Sequence, residues 1–436
     1  MNEKKVLLIA HNVFDCRTNM GKTLSSFFTN YNADSLAELY FHTEVPTMNI
    51  CHRYYRVTDT DALKSWLPGN RKQVGKAFFE ADIDVNRSSA REDSGIKRKI
   101  YSLGSKRTSF IYFARNTLWC LSSWYSDELK KWIAEFSPDI IFFAAGDYAF
   151  AYDIAYTISK DFDIPMIMYC CDDFFINRRN PHSLLGIFVH RYLMQSVRRS
   201  ASRTAAVITI CDKMSDAYRT LFDKPMYTAY TGYSTKNELA VDGKGIVYLG
   251  NLACGRSHSL IEIGQALKRI SERIEEPLYL DVYSGENRPE VLQEMTTANG
   301  IRFWGAVDTA EVKNIITKCR LAIHTESFIP EHKQTVMYSI STKIADLLAS
   351  GRCIFAYGPG EVASMEYLRE NQAACVVNDP ALLEKELEDI LNNGKRRKEI
   401  VASAQILSER NHNMKMVQQQ IKKIINDSCV RKEVNC

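Results

Sequence analysis

The chain has 436 residues, of which 45% are hydrophobic and 25% are charged, as in an ordinary globular protein that buries a sizeable interior. This length predicts two domains. A formal net charge of +4 is too small to indicate a nucleic-acid-binding protein. The sequence also has no run of about 18 apolar residues, the length that a membrane-spanning helix needs.

The first apolar run, VLLIA (6–10), is followed by a loop that ends in the letters GKT. A phosphate-binding Walker A loop ends in this way, but it needs another glycine five positions before Gly21. Cys16 occupies that position, which argues against a triphosphatase. A helix beginning near Lys22 is still predicted. Four residues of this region are candidates for contacting a ligand: His11, Asp15, Asn19 and Gly21.

Further apolar, β-branched runs alternate with segments of helical spacing, which predicts parallel sheets covered by helices. Polar residues or glycines follow most of these runs. Ligands bind beyond the carboxyl ends of such strands, so these positions are expected to line crevices. The predicted strands are DIIFFAA (139–145), PMIMYCC (165–171), AAVITI (205–210), GIVYLG (245–250), LYLDVYSG (278–285), IRFWG (301–305), RLAIHTE (320–326) and RCIFAYG (352–358).

Two features of the first half allow alternative interpretations. Asp172 and Asp173 directly follow a strand, and they either cap a turn or contact a ligand. The basic and aromatic stretch 96–125 fits either a solvated loop before a core helix or a peripheral contact with an anionic membrane.

The cysteines indicate where the protein resides. The twelve cysteines show no zinc-binding spacing, so no metal site is predicted, and they are interpreted as reduced thiols. The first residues lack the pattern of a secretory signal. The protein is therefore expected in the cytoplasm, with peripheral contact to the cytoplasmic membrane face as the alternative.

A polar, turn-rich stretch, TGYSTKNELAVDGKG (231–245), divides the chain into similar α/β halves and is interpreted as an interdomain linker. The predicted domains cover residues 1–235 and 243–410. The segment from about 412 to 436 has helical apolar spacing, so it is expected to pack back on the first domain.

The most informative passage is SISTKIADLLASGRCIFAYGP (339–359). Ser341 is predicted to cap a helix that ends at Gly351 and buries Ile344, Leu347 and Leu348. On the other face, Lys343 and the amides of the helix start suit a diphosphate, and Asp346 suits ribose hydroxyls.

This passage resembles the signature of retaining, family 4-type GT-B glycosyltransferases, especially a bacterial group with an SxK…(E/D)YLASG.P pattern. Residues 246–267, 301–328 and 163–175 support the likeness, which covers the second half almost throughout and the first half loosely. The resemblance implies an α/β GT-B fold, with two Rossmann-like parallel-sheet domains facing each other across a cleft.

The resemblance also implies an activity. The enzyme would move a sugar, with retention, from a nucleotide sugar to a glycan, lipid-linked or other acceptor in bacterial surface or exopolysaccharide assembly. The nucleotide sugar is a substrate, so no cofactor is implied. In this family the leaving phosphate itself can take the proton of the acceptor, which requires no protein nucleophile.

Site residues follow from the same resemblance and from the ends of the predicted strands, which supply Asp172, Asp173, Ser284, Gly285 and Glu326. Arg256 and Lys343 would be catalytic, stabilising charge on the leaving diphosphate, with Asp172 and Asp173 as further catalytic candidates. Asp346 stands where the family has its ribose-binding glutamate. The other implied donor-binding residues are Gly250, Asn251, Ser284, Gly285, Gly305, Ala306, Glu326, Ser341 and Thr342. The acceptor would lie at His11, Asp15, Asn19 and Gly21.

The sequence departs from the family pattern at two positions. Tyr338 replaces the first of two paired glutamates, and Asn251 replaces a phosphate-binding arginine. Glu326 or Glu331 could supply the missing carboxylate. These departures keep two other functions open: a non-catalytic GT-B-like subunit that stabilises a partner enzyme, and a nucleotide-sugar epimerase.

Overall fold

The chain forms two compact α/β units in a computed structural model. The first unit comprises the chain up to Ala229 together with the segment from Gln418 onward, and the second comprises Tyr230–Val417. Most of the predicted linker, 234–242, lies outside the described residues. The structure describes residues 3–15, 19–67, 74–82, 108–177, 183–233 and 243–430.

An eight-stranded sheet forms the centre of the first unit. Its strands are β1 (Val6–Ala10), β2 (Leu36–Tyr40), β3 (Arg53–Arg56), β4 (Lys76–Phe79), β5 (Ile140–Ala145), β6 (Met166–Cys170), β7 (Thr204–Thr209) and β8 (Met226–Thr228). The order is β4-β3-β2-β1-β5-β6-β7-β8, and every pair is parallel except β3 with β4. Strand order therefore reverses at β1, which lies between β2 and β5.

Helices connect these strands, and several begin at a side-chain cap. Thr108, Ser126 and Ser183 each accept a hydrogen bond from the amide three residues later, which satisfies a helix-start donor. The helices are α1 (Asn19–Phe28), α2 (Asp59–Lys64), α3 (Ser109–Leu121), α4 (Asp127–Phe136), α5 (Ala149–Asp161), α6 (Leu184–Ala201) and α7 (Asp212–Tyr218).

The second unit contains a six-stranded sheet in which all pairs are parallel. Its strands are β9 (Ile246–Leu249), β10 (Leu280–Tyr283), β11 (Ile301–Gly305), β12 (Leu321–Thr325), β13 (Cys353–Tyr357) and β14 (Cys375–Val377). The order is β11-β10-β9-β12-β13-β14, so strand order reverses at β9, between β10 and β12. Ligands of doubly wound sheets bind at such a reversal.

The helices of the second unit follow each strand, as the parallel connections require. They are α8 (Arg256–Ile274), α9 (Pro289–Leu292), α10 (Thr309–Lys318), α11 (Pro330–Val336), α12 (Lys343–Ala349), α13 (Ala363–Glu370), α14 (Leu383–Asn392), α15 (Gly394–His412) and α16 (Met414–Val430). The last helix continues into the first unit, where Gln418 donates a hydrogen bond to the carbonyl of Ser26.

His412, at the end of α15, joins two distant segments of the second unit. Its Nδ1 lies 2.9 Å from the carbonyl oxygen of Thr231, and the hydroxyl of Tyr367 lies 2.9 Å from its Nε2. Because the imidazole is 2% exposed, it must be neutral, with the proton on Nδ1 and Nε2 accepting from Tyr367.

Acidification is expected to destabilise the protein through His412. Burial lowers the pKa of this imidazole from 6.5 to about 4, so between these pH values the unfolded chain binds more protons than the folded chain. The contribution, about 3 kcal/mol, is present above pH 6.5 and is lost as the pH falls towards 4. Urea denaturation at pH 7.5 and pH 5 measures it. A His412→Gln variant should lose this part of the pH dependence, and an unchanged dependence would contradict the assignment.

Candidate active site

The strand-order reversal of the second unit brings several predicted site residues together. Gly250 and Asn251 directly follow β9, and Glu326 directly follows the neighbouring β12. Arg256 begins α8, the helix of the first β–α connection in this unit. These residues therefore meet at the carboxyl ends of adjacent parallel strands.

Arg256 connects the two strand ends. Its Nη1 donates to Oδ1 of Asn251 at 2.8 Å, and its Nη2 lies 3.0 and 2.9 Å from the two carboxylate oxygens of Glu326. Gly255 precedes the helix with φ of +70°, and a Cβ there would lie 2.6 Å from Oγ of Ser327. Glycine is thus required for this tight start of α8.

Lys343 supplies a second cation at the same place. A Cβ built on Gly250 would lie 2.7 Å from Nζ of Lys343, so the ammonium group rests against the glycine backbone after β9. The sequence analysis named Lys343 as a catalytic residue and Gly250 as a donor-binding residue, and the structure brings the two together.

Glu326 is a buried carboxylate beside these cations. It is 2% exposed, and burial raises its pKa above the usual value, although Arg256 and Lys343 oppose that change. Burial of Arg256 disfavours its charge, but the adjacent Glu326 outweighs this and raises the pKa of the guanidinium. The three groups together carry a net positive charge when Glu326 is ionised.

His324 is a site neighbour that the sequence did not single out. It lies in β12, with Nε2 3.0 Å from Oγ of Ser364 and 3.9 Å from Glu326. Burial, assisted by Arg256 and Lys343, lowers its pKa to about 3, so the imidazole is neutral. The only sequence signal was a histidine at the end of an otherwise apolar strand.

The predicted helix after Ser341 is present. Its first assigned residue is Lys343, and Thr342 before it has helical dihedral angles without a side-chain capping bond. Oγ of Ser341 accepts from the amide of Lys343 at 3.4 Å, which fits the predicted capping role of Ser341. The helix has only seven residues, so its dipole is small, and the side-chain cations matter more than the helix start.

The two faces of α12 agree with the predicted pattern. Ile344, Leu347 and Leu348 are buried, whereas Lys343 and Asp346 are half-buried one turn apart. Gly351 has φ of +71° and ends the helix as expected. Asp346 therefore lies on the same side of the helix as Lys343.

Next to this region, the ends of β10 and β11 present backbone groups and glycines. The amide of Ser284 donates to the carbonyl of Gly305 at 2.9 Å. Gly305 has φ of +79°, and no heavy atom lies within 4 Å of a Cβ built on it; one on Gly285 would lie 3.9 Å from Ala306. This open, glycine-lined edge adjoins the Arg256 and Lys343 region along the sheet.

The carboxylate of Asp173 makes hydrogen bonds mainly within its own loop. Its Oδ1 accepts from the amides of Phe175 and Ile176 and from the hydroxyl of Tyr218, and its Oδ2 accepts from the amide of Asn177. Asp172 accepts from the amide of Asp173 at 3.0 Å. Of the two interpretations left open by the sequence, this arrangement favours the cap for Asp173.

An Asp173→Ala variant is expected to lose about 1 to 3 kcal/mol of stability, because it leaves buried donors unsatisfied. Nucleotide binding should stay unchanged, since the second unit holds the cationic residues. Urea denaturation and calorimetry with UDP measure the two effects. Unchanged stability combined with lost turnover would instead indicate a catalytic carboxylate.

The predicted acceptor residues lie around the end of β1 in the first unit. The His11 ring is 5.6 Å from the rings of His42 and Tyr148. A Cβ on Gly21 would lie 2.8 Å from the carbonyl oxygen of Asp15, so this glycine allows α1 to approach the loop. Asn19 begins α1, and Cys16 lies outside the described residues.

Similarity to known proteins agrees with this architecture. Residues 268–423 match the family model described as glycosyl transferase-like. The structure of Anabaena Alr3699/HepE in complex with UDP is similar at 13% identity, covering 97% of this chain and all of that chain, with a TM-score of 0.61. The chain has the GT-B fold.

A second group of GT-B structures is equally similar. The α,α-trehalose 6-phosphate synthase of Burkholderia multivorans shares 11% identity over 100% of this chain and 98% of its own, with a TM-score of 0.60. No curated protein sequence matches the chain. Within the described ranges, no helix is long and apolar enough to cross a membrane.

Proposed function

We propose that this GT-B chain is a glycosyltransferase that takes a sugar from a nucleotide-sugar donor. The observation that carries the proposal is the pair of cations, Arg256 and Lys343, beside Gly250 and Asn251 at the strand-order reversal of the second sheet. A helix of 19 residues starts at Arg256, so its free amides also favour an anion there.

The proposed chemistry breaks the bond between the anomeric carbon and the diphosphate oxygen. Negative charge grows on the leaving diphosphate, and fixed cations stabilise that charge more in the transition state than in the ground state. A hydroxyl oxygen of the acceptor forms the new bond to the anomeric carbon, with retention, and its proton passes to the leaving phosphate. No metal or cofactor takes part in this scheme.

The other parts of the donor are proposed to bind neighbouring residues. Asp346, one turn beyond Lys343, would accept hydrogen bonds from ribose hydroxyls. The base would lie along the glycine-lined ends of β10 and β11, near Gly285, Gly305 and Ala306. UDP is the first nucleotide to test, because HepE was solved with UDP and with UDP-glucose. The acceptor would belong to bacterial surface or exopolysaccharide assembly in the cytoplasm.

Thermal-shift and calorimetric screening with UDP, GDP and their sugars tests the proposal. A nucleotide present at 100 times its dissociation constant should stabilise the protein by about 2.7 kcal/mol. Nucleoside diphosphate should then be released from the matching sugar nucleotide in the presence of acceptor. Absence of binding by every nucleotide would overturn the proposal and favour a non-catalytic subunit, whereas acceptor-independent isomerisation of the sugar would indicate an epimerase.

A further inference from the structure

Tyr248 is a buried residue of β9 that the sequence analysis did not select. It is 5% exposed and belongs to the hydrophobic core of the second unit, together with Leu260, Leu280 and Val282. Its hydroxyl reaches the carboxyl end of the strand, where it donates a hydrogen bond of 2.6 Å to the main-chain carbonyl of Asn251. A buried phenol needs such a partner, and here the partner belongs to the loop that follows the strand.

This hydrogen bond fixes the first residues of the loop after β9. Tyr248 and Asn251 are three positions apart, so the side-chain hydroxyl spans the start of the loop. Toward the neighbouring strand, the amide of Gly250 donates to the carbonyl of Tyr283 at 3.0 Å. The loop is therefore held on one side by β10 and from beneath by the phenol.

Gly250 separates the hydroxyl of Tyr248 from the cation of Lys343. A Cβ built on Gly250 would lie 2.6 Å from Oη of Tyr248 and 2.7 Å from Nζ of Lys343. The hydroxyl and the ammonium group therefore lie against the same side of this glycine, where only a hydrogen atom fits. The position of the loop backbone relative to Lys343 thus depends on where the hydroxyl holds it.

Asn251 links Tyr248 to Arg256. Its main-chain carbonyl accepts from the Tyr248 hydroxyl, and its side-chain Oδ1 accepts from Nη1 of Arg256 at 2.8 Å. Asn251 is itself exposed, so packing alone does not hold it in place. Because one residue makes both hydrogen bonds, losing the first also releases the acceptor of the second.

The phenol of Tyr248 acts as a hydrogen-bond donor and not as an acid. Burial raises its pKa, and the charge of the nearby Arg256 opposes this only in part. Its proton is directed at the carbonyl of Asn251, and so it is not available to a substrate oxygen. Tyr248 can therefore affect a reaction only through the groups that it holds.

We propose that Tyr248 is a positioning residue of the diphosphate site. Its hydroxyl fixes the loop of Gly250 and Asn251, and this loop keeps Arg256 and Lys343 where charge develops on the leaving group. The inference rests on the proposed function, because it concerns the same diphosphate. A displacement of about 1 Å in a reacting arrangement can lower turnover about a hundredfold, so a hydroxyl without ligand contact can still affect the rate.

A Tyr248→Phe variant tests this role, because it removes the hydroxyl and keeps the ring in the core. It should lower kcat for release of nucleoside diphosphate about tenfold to a hundredfold with KM nearly unchanged, since the opposed charge grows in the transition state. Tyr357→Phe is the matched control. Tyr357 is also a buried tyrosine of this sheet, but its hydroxyl donates to Glu262 of α8 at 2.6 Å. The control should lose similar stability and keep wild-type turnover.

Two further variants test the path of the effect. Asn251→Ala removes the acceptor of Arg256, so adding Tyr248→Phe to it should lower kcat less than Tyr248→Phe does in the wild-type protein. Gly250→Ala leaves the core unchanged but places a methyl group against both Tyr248 and Lys343. It should lower kcat at least as much as Tyr248→Phe.

The outcomes separate this role from the proposed function. In a protein that binds UDP, the positioning role is overturned by wild-type kcat in Tyr248→Phe, by an equal loss in Tyr357→Phe, or by losses that multiply with Asn251→Ala. If circular dichroism shows that Tyr248→Phe does not fold, wild-type kcat in Gly250→Ala overturns the role. Failure of the wild-type protein to bind any nucleotide overturns the donor site itself.

Discussion

Replacing Lys343 with alanine is expected to lower turnover about a hundredfold to a thousandfold, the usual effect of removing one preorganised group that stabilises developing charge. The ammonium group lies against Gly250, where the leaving diphosphate is proposed to bind. Its loss should lower kcat and kcat/KM together, because the charge that it opposes is larger in the transition state. Release of UDP from the sugar nucleotide identified by screening measures the effect.

Lys333→Ala provides the matched control for this variant. Lys333 is also a lysine of the second unit, but it lies on α11 and pairs with Glu361 at 2.7 Å near the surface. Its removal should leave turnover and folding unchanged, since surface pairs contribute little. If Lys343→Ala retained wild-type turnover with an intact circular dichroism spectrum, the cationic site would have no part in the reaction.

Most of the fold could be predicted because its parallel strands are continuous apolar runs. All of the predicted strands are present, whereas β2, β3, β4, β8 and β14 were missed. Strand β2 carries the buried Glu38 at its centre, which breaks the apolar pattern. Strand β3 has arginine at both ends, and β8 and β14 have three residues each, too few to show a period.

The strand ends also predicted which residues would meet, but spacing alone could not supply the contacts. Gly250, Asn251 and Glu326 were selected because carboxyl ends of parallel strands meet at one edge. The ion pair between Arg256 and Glu326 joins residues 70 positions apart, and only the neighbouring placement of β9 and β12 creates it. The hydrogen bonds from backbone amides to Asp173 could not be predicted either, because the path of this loop depends on packing against Tyr218.

Replacing Glu326 is expected to lower the stability of the nucleotide-free protein, because it breaks a buried ion pair. Glutamine keeps the shape of the side chain but carries no charge. Arg256 then loses its counter-charge, although its side chain is only 15% exposed to solvent. Removing one partner of a buried pair costs about 3 to 5 kcal/mol. The free energy of unfolding, measured with urea at pH 7.5, should fall by about that amount.

Nucleotide binding should partly reverse this loss. In the wild-type protein, a diphosphate must share Arg256 with the carboxylate of Glu326, so binding includes the cost of weakening an existing pair. In Glu326→Gln this carboxylate no longer competes for Arg256, and the net positive charge of the site rises by one. UDP should therefore raise the melting temperature of the variant more than that of the wild type.

The wild-type carboxylate should also take up protons when UDP binds. Burial already raises the pKa of Glu326, and only Arg256 and Lys343 oppose this. A bound diphosphate engages the same two cations and adds negative charge nearby, which favours the protonated carboxyl group further. His324 remains neutral and contributes no charge, and burial raises the pKa of the nearby Tyr248, so its phenol stays protonated at neutral pH.

Calorimetry of UDP binding at pH 6 in buffers of different ionisation enthalpy measures this uptake. The buffer dependence of the apparent binding enthalpy should report more proton uptake for the wild type than for Glu326→Gln, because the nucleotide phosphate also titrates near this pH in both proteins. Equal buffer dependence in both proteins would assign the proton to another group, such as the nucleotide phosphate. A smaller melting shift in the variant would mean that Glu326 orients Arg256 for the nucleotide rather than competing with it.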